Sequence, residues 1–228
     1  NDCQGLYPDA VCGSTRGNMR AVVRAVLLDP EARGDVKTAA DYGRLREPAQ
    51  YLAGVLRAFN AASDCVLTGP YNSGGGGDLL GLLDQPLFSP ATVFSYYSPD
   101  YEIPGAKMLG PAFQIFYTTT TIRRANMVNT LVYTGIAPGR HNPTGTQLNF
   151  ADLDAFWNAP NQTQLEQATS LVNHLDAMLL HGTMPAQMRE SIKTAMLAIP
   201  TTDTNYRRKR SQTAAYLVTT SPHYDVQR

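Results

Sequence analysis

Helical periodicity is the feature that most constrains the fold of this 228-residue chain. Apolar residues recur three and four positions apart in residues 17–30, and again from Pro48 onward, where proline fits the first turn of a helix. Residues 164–181 form a third such segment, in which Thr163 and Glu166 can make a capping box. The pattern predicts an all-α fold, an irregular multi-helix bundle with long loops rich in proline, glycine and aromatic residues.

Three further helices are predicted in the second half of the chain. The first begins at Pro111 and ends at Gly135, although the four threonines at 118–121 are poor helix formers. Its predicted inward-facing residues are Phe113, Phe116, Ile122, Ala125, Val128, Asn129 and Val132. Another helix begins at Pro185, and the last is predicted over residues 206–219.

Charge and hydropathy exclude several classes of partner. Nineteen basic and nineteen acidic residues give a net charge of zero and a pI of about 7.1. No global field therefore attracts nucleic acid, and the basic run at residues 207–210 is more typical of a solvated helix start. The apolar stretches are too short for a membrane span. We expect neither nucleic acid nor a bilayer-crossing segment.

The cysteines bear on the cellular compartment. Cys3 and Cys12 flank a segment with turn-forming residues, so a disulfide between them would close a small loop at residues 1–16, ahead of one helical domain at residues 17–228. Such a bond favours secretion or a periplasmic or cell-surface location; two reduced thiols are the alternative. Cys65 is left over, either as a buried apolar residue or for pairing with another segment.

The common signatures of catalysis and cofactor binding do not occur in the sequence. The chain has no Gly-x-Ser-x-Gly, His-Glu-x-x-His or Cys-x-x-Cys motif, and the glycine run near Asp78 lacks the Lys-Ser/Thr of a phosphate loop. Its four histidines are scattered, and the two on one predicted helix lie about 10 Å apart along the axis, too far for one metal. We expect no cofactor, no metal and no catalytic residue in this chain.

One aromatic segment is the best candidate for ligand binding. Its aromatic and acidic side chains could form a groove that stacks on sugar rings or on an apolar ligand: Phe88, Phe94, Tyr96, Tyr97 and Tyr101 with Asp100 and Glu102. A proline-rich segment also needs such aromatics to pack on a helical body. The candidate ligand-binding residues are Tyr96, Tyr97, Asp100, Tyr101, Arg124 and His141. Arg124 lies on an otherwise apolar helix, where loop carbonyls or Asp100 could pin it; an anion site is the alternative.

Several stretches, taken together, resemble the bacterial domain-of-unknown-function family 1800. They are "RGNMRAVVRAVLLDPEAR" (16–33), "LREP" (45–48), "QPLFSPATVFSYYSPDY" (85–101), "RRANMVNTLVY" (123–133) and "YLVTTSPHYDVQR" (216–228). The resemblance implies that the chain is the C-terminal part of a longer, exported bacterial protein. The family's His- and acid-containing stretches, which would be inspected first for chemistry, lie upstream and are not in this sequence. The resemblance therefore assigns no catalytic residue to this chain.

The sequence favours a structural or interaction role, with the upstream part of the same protein or another exported protein as partner. A first alternative is part of an extracellular enzyme or binding protein that acts on a polysaccharide, through a groove around Tyr97 and Tyr101. A second is a cell-surface assembly module, which would show repeated chain–chain contacts.

Overall fold

A computed structural model describes residues 17–34, 43–63, 70–71, 77–138 and 144–227. The chain divides into two compact units, residues 1–43 with residue 228 and residues 44–227. The predicted Cys3–Cys12 disulfide lies outside the described residues, and the predicted boundary after residue 16 stays a prediction.

The described part of the first unit contains two helices. Helix α1 (Met19–Leu28) begins where Asn18 accepts a hydrogen bond from the backbone N–H of Ala21 at 3.2 Å, and α2 (Pro30–Arg33) follows. This confirms the helix predicted for residues 17–30. The large apolar side chains of α1 are exposed: Met19, Val22, Val23, Val26, Leu27 and Leu28.

The second unit is built mainly from helices. They are α3 (Pro48–Ala58), α4 (Thr118–Tyr133), α5 (Ala151–Ala155), α6 (Gln164–Leu175), α7 (Ala186–Leu197), α8 (Tyr206–Thr219) and α9 (Pro222–Asp225). Helix α8 lies at the centre and packs against α4, α5, α6, α7 and α9. Its buried residues include Ala214, Ala215 and Val218, whose small side chains let neighbouring helices approach closely. Within the described ranges, none of the helices has both the length and the apolar character needed to cross a bilayer.

The helix predicted from Pro111 differs from the structure. A 3₁₀ turn (Pro111–Ile115) comes first, the backbone is extended at Tyr117, and α4 begins only at Thr118. The threonine run starts the helix because the Thr120 hydroxyl bonds the backbone around Tyr117. This interruption changes the buried face, which comprises Thr120, Arg124, Met127, Val128, Leu131 and Val132 and leaves the predicted Ile122 and Asn129 exposed.

The helix predicted for residues 164–181 is confirmed in extent, with a change of winding near its end. The Thr163–Glu166 capping box is present. After Leu175 the chain forms one π-helical turn (Asp176–Leu180) and stops at His181, whose φ of 54° is left-handed. The π turn is held by the Asp176 carboxylate, which accepts hydrogen bonds from the Met184 N–H at 2.9 Å and from the Arg189 guanidinium at 2.6 Å.

The all-α prediction is correct at the level of a mostly helical chain, but it misses three short antiparallel pairs in the described residues. Strand β1 (Arg44–Leu45) pairs with β6 (Val226–Gln227), β2 (Ala62–Ser63) with β5 (Thr146–Gln147), and β3 (Pro70–Tyr71) with β4 (Gly77–Asp78). Each strand has two residues, too few to produce the alternating pattern by which strands are predicted.

Candidate functional site

Residues 87–110 form an irregular segment, which we call the aromatic strap. Polar ends of its residues bond to neighbouring parts of the chain: the Tyr96 hydroxyl donates to the Pro86 carbonyl at 2.6 Å, and the Ser98 N–H donates to the Gln114 side chain at 2.6 Å. The Tyr97 hydroxyl donates to the Glu47 carboxylate, which comes just before α3. The tyrosines therefore hold the strap through their hydroxyl groups.

The strap turns its most apolar side chains toward solvent. Phe88 is 94% exposed, Val93 95% and Phe94 78%, and Met108 and Leu109 are exposed as well. Phe88 also has a φ of 61°, in the left-handed region that bulky residues rarely adopt. Strain in the backbone and apolar exposure thus occur at the same residue, a combination that points to a functional constraint.

The predicted ligand-binding residues on the strap lie close together in the chain and differ in exposure. Tyr96, Tyr97 and Tyr101 are half-buried, and Asp100 is exposed. The Ser98 hydroxyl donates to the Asp100 carboxylate, and this bond lowers the pKa of Asp100. His141, the predicted loop histidine, lies outside the described residues.

Arg124, the remaining predicted residue, is in the helical body. It is only 2% exposed, and its Nη1 donates to the Arg46 carbonyl at 3.2 Å and to the Asp225 carboxylate at 3.1 Å. A loop carbonyl is thus one partner, as expected, but the carboxylate is Asp225 and not Asp100. The pairing joins α4 to the end of α9, 101 residues further along the chain.

Two nitrogens of the Arg124 guanidinium are buried without a hydrogen-bond partner among the described residues, Nε and Nη2. The guanidinium carbon lies 4.7 Å from the centre of the Phe116 ring and 5.1 Å from that of Tyr51. Aromatic faces attract a cation and offset part of the cost of these unbonded groups. The Arg124 site is therefore packed by rings on two sides, which leaves little room for an external anion.

Burial controls the titration of this pair. It lowers the pKa of Arg124, with Asp225 acting in the opposite direction. It also raises the pKa of Asp225, against the lowering effect of Arg124. Desolvation thus outweighs the mutual attraction on both sides, as is common for ion pairs removed from water.

Glu47 connects the strap to the start of α3. Its carboxylate accepts hydrogen bonds from Tyr97 and, at 2.5 Å, from the Gln85 side chain, while the Gln85 side-chain oxygen accepts from the Ala49 N–H at 2.9 Å. Burial first, and then this bond to Glu47, raise the pKa of Tyr97. The carboxylate is therefore committed to holding the strap.

In the part of the chain that the structure describes, no three His, Cys, Asp or Glu side chains converge as a metal site would require. His174, one of the histidines considered in the sequence, packs on the ring of Phe156 with ring centres 5.3 Å apart.

Comparison with protein families finds a family model that matches most of the chain. The family model described as "Protein of unknown function (DUF1800)" matches residues 9–226. The chain belongs to the DUF1800 family. No curated protein and no solved structure matches it.

Four of the segments that carry the DUF1800 resemblance meet in the structure. "LREP" supplies Arg46 and Glu47, and "QPLFSPATVFSYYSPDY" supplies Gln85 and the strap. "RRANMVNTLVY" supplies Arg124, and the closing segment supplies Asp225. The contacts described above join these segments into one network.

Two residues of the network were missed as functional candidates by sequence reasoning. Asp225 follows Pro222 in a stretch with no predicted helix, and Glu47 was interpreted only as part of a helix start. Both lie in segments quoted for the DUF1800 resemblance, and this is the signal that could have found them.

Proposed function

We propose that this DUF1800 chain is a non-catalytic interaction module that binds another polypeptide through the aromatic strap. The observation that carries the proposal is the orientation of the strap: its tyrosine hydroxyls bond inward, and Phe88, Val93 and Phe94 face solvent. A segment selected only to pack on its own helices would place its phenylalanines inward.

The energetic argument favours an apolar protein surface as the partner. Burying one large apolar side chain contributes about 1.5–3 kcal/mol, so three of them can anchor a protein–protein contact. The exposed apolar side chains of α1 support the same type of role. We propose as partner a further part of the same protein or another exported protein.

Export is a separate part of this proposal, and it rests on the spacing of Cys3 and Cys12. A protein located outside the cytoplasm would contain this pair as a disulfide. Peptide mass mapping of native material, without reduction, tests it: a Cys3–Cys12 cross-linked peptide supports export, and free thiols at both positions oppose it.

Site-specific photo-cross-linking tests the interaction. A benzoylphenylalanine introduced at Phe94 in the native host should cross-link to one polypeptide, and the same group at the exposed Thr194 on α7 should not. The identified partner is then purified, and its affinity is measured for the F88S/F94S variant. We expect a loss of at least about tenfold for two buried rings.

The matched control is Leu165→Ser, which removes an exposed apolar side chain from α6. It should leave the affinity unchanged. Equal affinities of wild type and F88S/F94S, or equal losses in F88S/F94S and L165S, would overturn the role of the strap. Cross-linking of one chain to a second copy of itself would instead support the assembly module.

Carbohydrate binding is the second candidate, favoured by the half-buried tyrosines that lie beside the exposed Asp100. Aromatic faces with a nearby carboxylate suit sugar rings. Affinity electrophoresis in gels containing hydroxyethylcellulose or xylan tests it. Retardation of the wild type that disappears in Y97A and Y101A would support this function, and unretarded migration in both gels would reject it for these polymers.

A further inference from the structure

A concave surface of about 810 Å³ lies beside α3, outside the contacts of the strap tyrosines. It is formed by one face of α3, strands β1 and β6, the π turn and Tyr224 of α9. We call it the arginine groove; among its lining residues are Arg44, Arg46, Arg57, His181 and Tyr224. Its size is within the usual range for sites that bind small organic molecules.

The charge of the groove has one sign. Among the described residues, its lining includes three arginines and one histidine and no carboxylate. The nearest acids in the chain order, Glu47 and Asp225, are engaged elsewhere: Glu47 by Gln85 and Tyr97, and Asp225 by Arg124. Asp225 also attracts Arg46, whose charge acts to lower the pKa of this carboxyl group, so the charge of Arg46 is partly balanced, whereas that of the other groove arginines is not matched by a carboxylate among the described lining residues.

The arginines are positioned differently, and one of them is available. Arg46 lies over the Tyr224 ring, 4.1 Å from its centre, and donates to the Leu179 carbonyl at 3.3 Å. Arg44 donates to the Gln227 side chain at 2.9 Å. Arg57 is exposed on α3, and its side chain has neither a hydrogen bond nor an ion pair with any described residue. A rigid, stacked guanidinium and an unpaired one thus border the same groove.

The floor of the groove, formed by α3, is apolar and consists of small residues. Ala49, Ala53 and Ala58 present only methyl groups, and at Gly54 a Cβ would lie 2.5 Å from the Tyr224 hydroxyl oxygen. Leu87 and Met178 complete the apolar lining. Because the Tyr224 hydroxyl occupies the space over Gly54, the surface that stays open to an apolar body is formed by the alanines of α3 with Leu87 and Met178.

We propose that the arginine groove binds an organic anion, with a carboxylate or phosphate paired to Arg46 and Arg57 and an apolar body on the alanine face of α3. Guanidinium groups bind both anions through paired, charge-assisted hydrogen bonds. The apolar floor favours an organic ligand over water alone. The three arginines favour an anion over an uncharged apolar ligand. The groove shares only Leu87 with the strap among the described residues, and the inference does not depend on what the strap binds.

Isothermal titration calorimetry on the complete chain tests the proposal with four probes: octanoate, octyl phosphate, octanol and inorganic phosphate. The two octyl anions should each bind at least about tenfold more tightly than octanol or inorganic phosphate, because only they satisfy charge and floor together. The stronger of the two anions identifies the head group as carboxylate or phosphate.

Arg57→Gln is the decisive variant, since the Arg57 side chain is exposed and makes no hydrogen bond or ion pair with any described residue. It should weaken binding of the octyl anions by about tenfold, the loss expected for one charge-assisted hydrogen bond. Arg207→Gln, an exposed arginine on α8, is the matched control and should change the affinity by less than about twofold. Arg46→Gln is a supporting variant, and its fold is checked by circular dichroism.

Three results would overturn the proposal. They are octanol binding as tightly as octanoate, equal affinity of wild type and R57Q, and no binding of either octyl anion at about 10 mM. Failure of the strap variants described earlier would leave these measurements unaffected, so the two proposals are tested separately.

Discussion

Arg124 and Asp225 form an ion pair at 3.1 Å that joins the middle of the chain to its last helix. Replacement of Arg124, which is almost completely buried, leaves the Asp225 carboxylate without the guanidinium with which it pairs. We expect Arg124→Met to reduce the free energy of unfolding by about 3 kcal/mol, as for other broken buried pairs. Urea unfolding followed by the fluorescence of Trp157, the sole tryptophan, measures it.

Arg123→Met is the matched control for this prediction. Arg123 is the adjacent residue, is exposed, and donates to the Leu82 carbonyl at 2.8 Å. Its replacement should cost less than about 1 kcal/mol. The double variant R124M/D225N should recover part of the loss, since neither charge of this pair then remains. Equal losses in R123M and R124M would contradict the importance of the pair.

Gly54 is expected to be intolerant of a side chain. Alanine is favoured over glycine in helices by about 1 kcal/mol, but a Cβ at this position would clash with the Tyr224 hydroxyl at 2.5 Å. The ring of Tyr224 cannot easily retreat, because Tyr51 packs edge-on against it with ring centres 5.2 Å apart. Overpacking of about 1–3 kcal/mol should therefore make Gly54→Ala destabilising.

The rescue of this variant is equally specific. Tyr224→Phe removes the oxygen in question, so G54A/Y224F should be more stable than G54A. Thermal unfolding of the four proteins in the cycle gives the coupling. A stabilising effect of G54A alone would show that the close approach of Gly54 and Tyr224 is wrong.

The pKa values of Asp225 and Asp100 should be shifted in opposite directions from the usual aspartate value of 3.8. Burial raises the pKa of Asp225, and the hydrogen bond from Ser98 lowers the pKa of Asp100. Carboxyl ¹³C NMR should therefore show Asp225 losing its proton at a higher pH than Asp100. In R124M the pKa of Asp225 should rise further, because the attraction of the guanidinium is lost.

The sign for stability follows from these directions. A carboxyl group with a raised folded-state pKa stabilises the fold below the unfolded pKa, and this contribution is lost as the pH rises through the folded value. The stability difference between wild type and Asp225→Asn should hence shrink as the pH rises from 3.8 through the raised pKa of Asp225. A difference that grows over this interval would contradict the raised pKa.

The capping box of α6 gives a prediction about local stability. The Thr163 hydroxyl accepts from the Glu166 N–H at 3.3 Å, and the Glu166 carboxylate accepts from the Thr163 N–H at 2.7 Å. Thr163→Ala should cost about 1 kcal/mol, or about 2–4 °C in melting temperature for a chain of this size. Thr194→Ala, whose hydroxyl bonds only the Glu190 carbonyl within α7, should show no such loss.

Local periodicity predicted the helices well where it was not interrupted. Helix α8 has the predicted bounds, and α6 begins after the predicted cap. For α4 the prediction was correct from Thr118 to Tyr133, including the buried Val128 and Val132, and wrong before Thr118, where the extended residue Tyr117 separates a 3₁₀ turn from the helix.

The candidate site depended on contacts between distant segments, which no local pattern contains. The pairing of Arg124 with Asp225 spans 101 residues. The basic run at 207–210 is a further example. It was interpreted as a solvated helix start, and Arg208 is indeed exposed and paired with Asp154, whereas Arg210 is buried over the Trp157 ring at 4.9 Å. Only tertiary packing decides which arginine of such a run turns inward.

The antiparallel pairing of Arg44 with Gln227 brings the first and last residues of the larger unit side by side. A short linker could therefore fuse these positions, and new termini could be opened in the aromatic strap without cutting a helix. Such a circularly permuted version would fold around the same core while freeing the strap as two loose ends. The order of the segments along the chain of this unit is thus separable from the packing of its core.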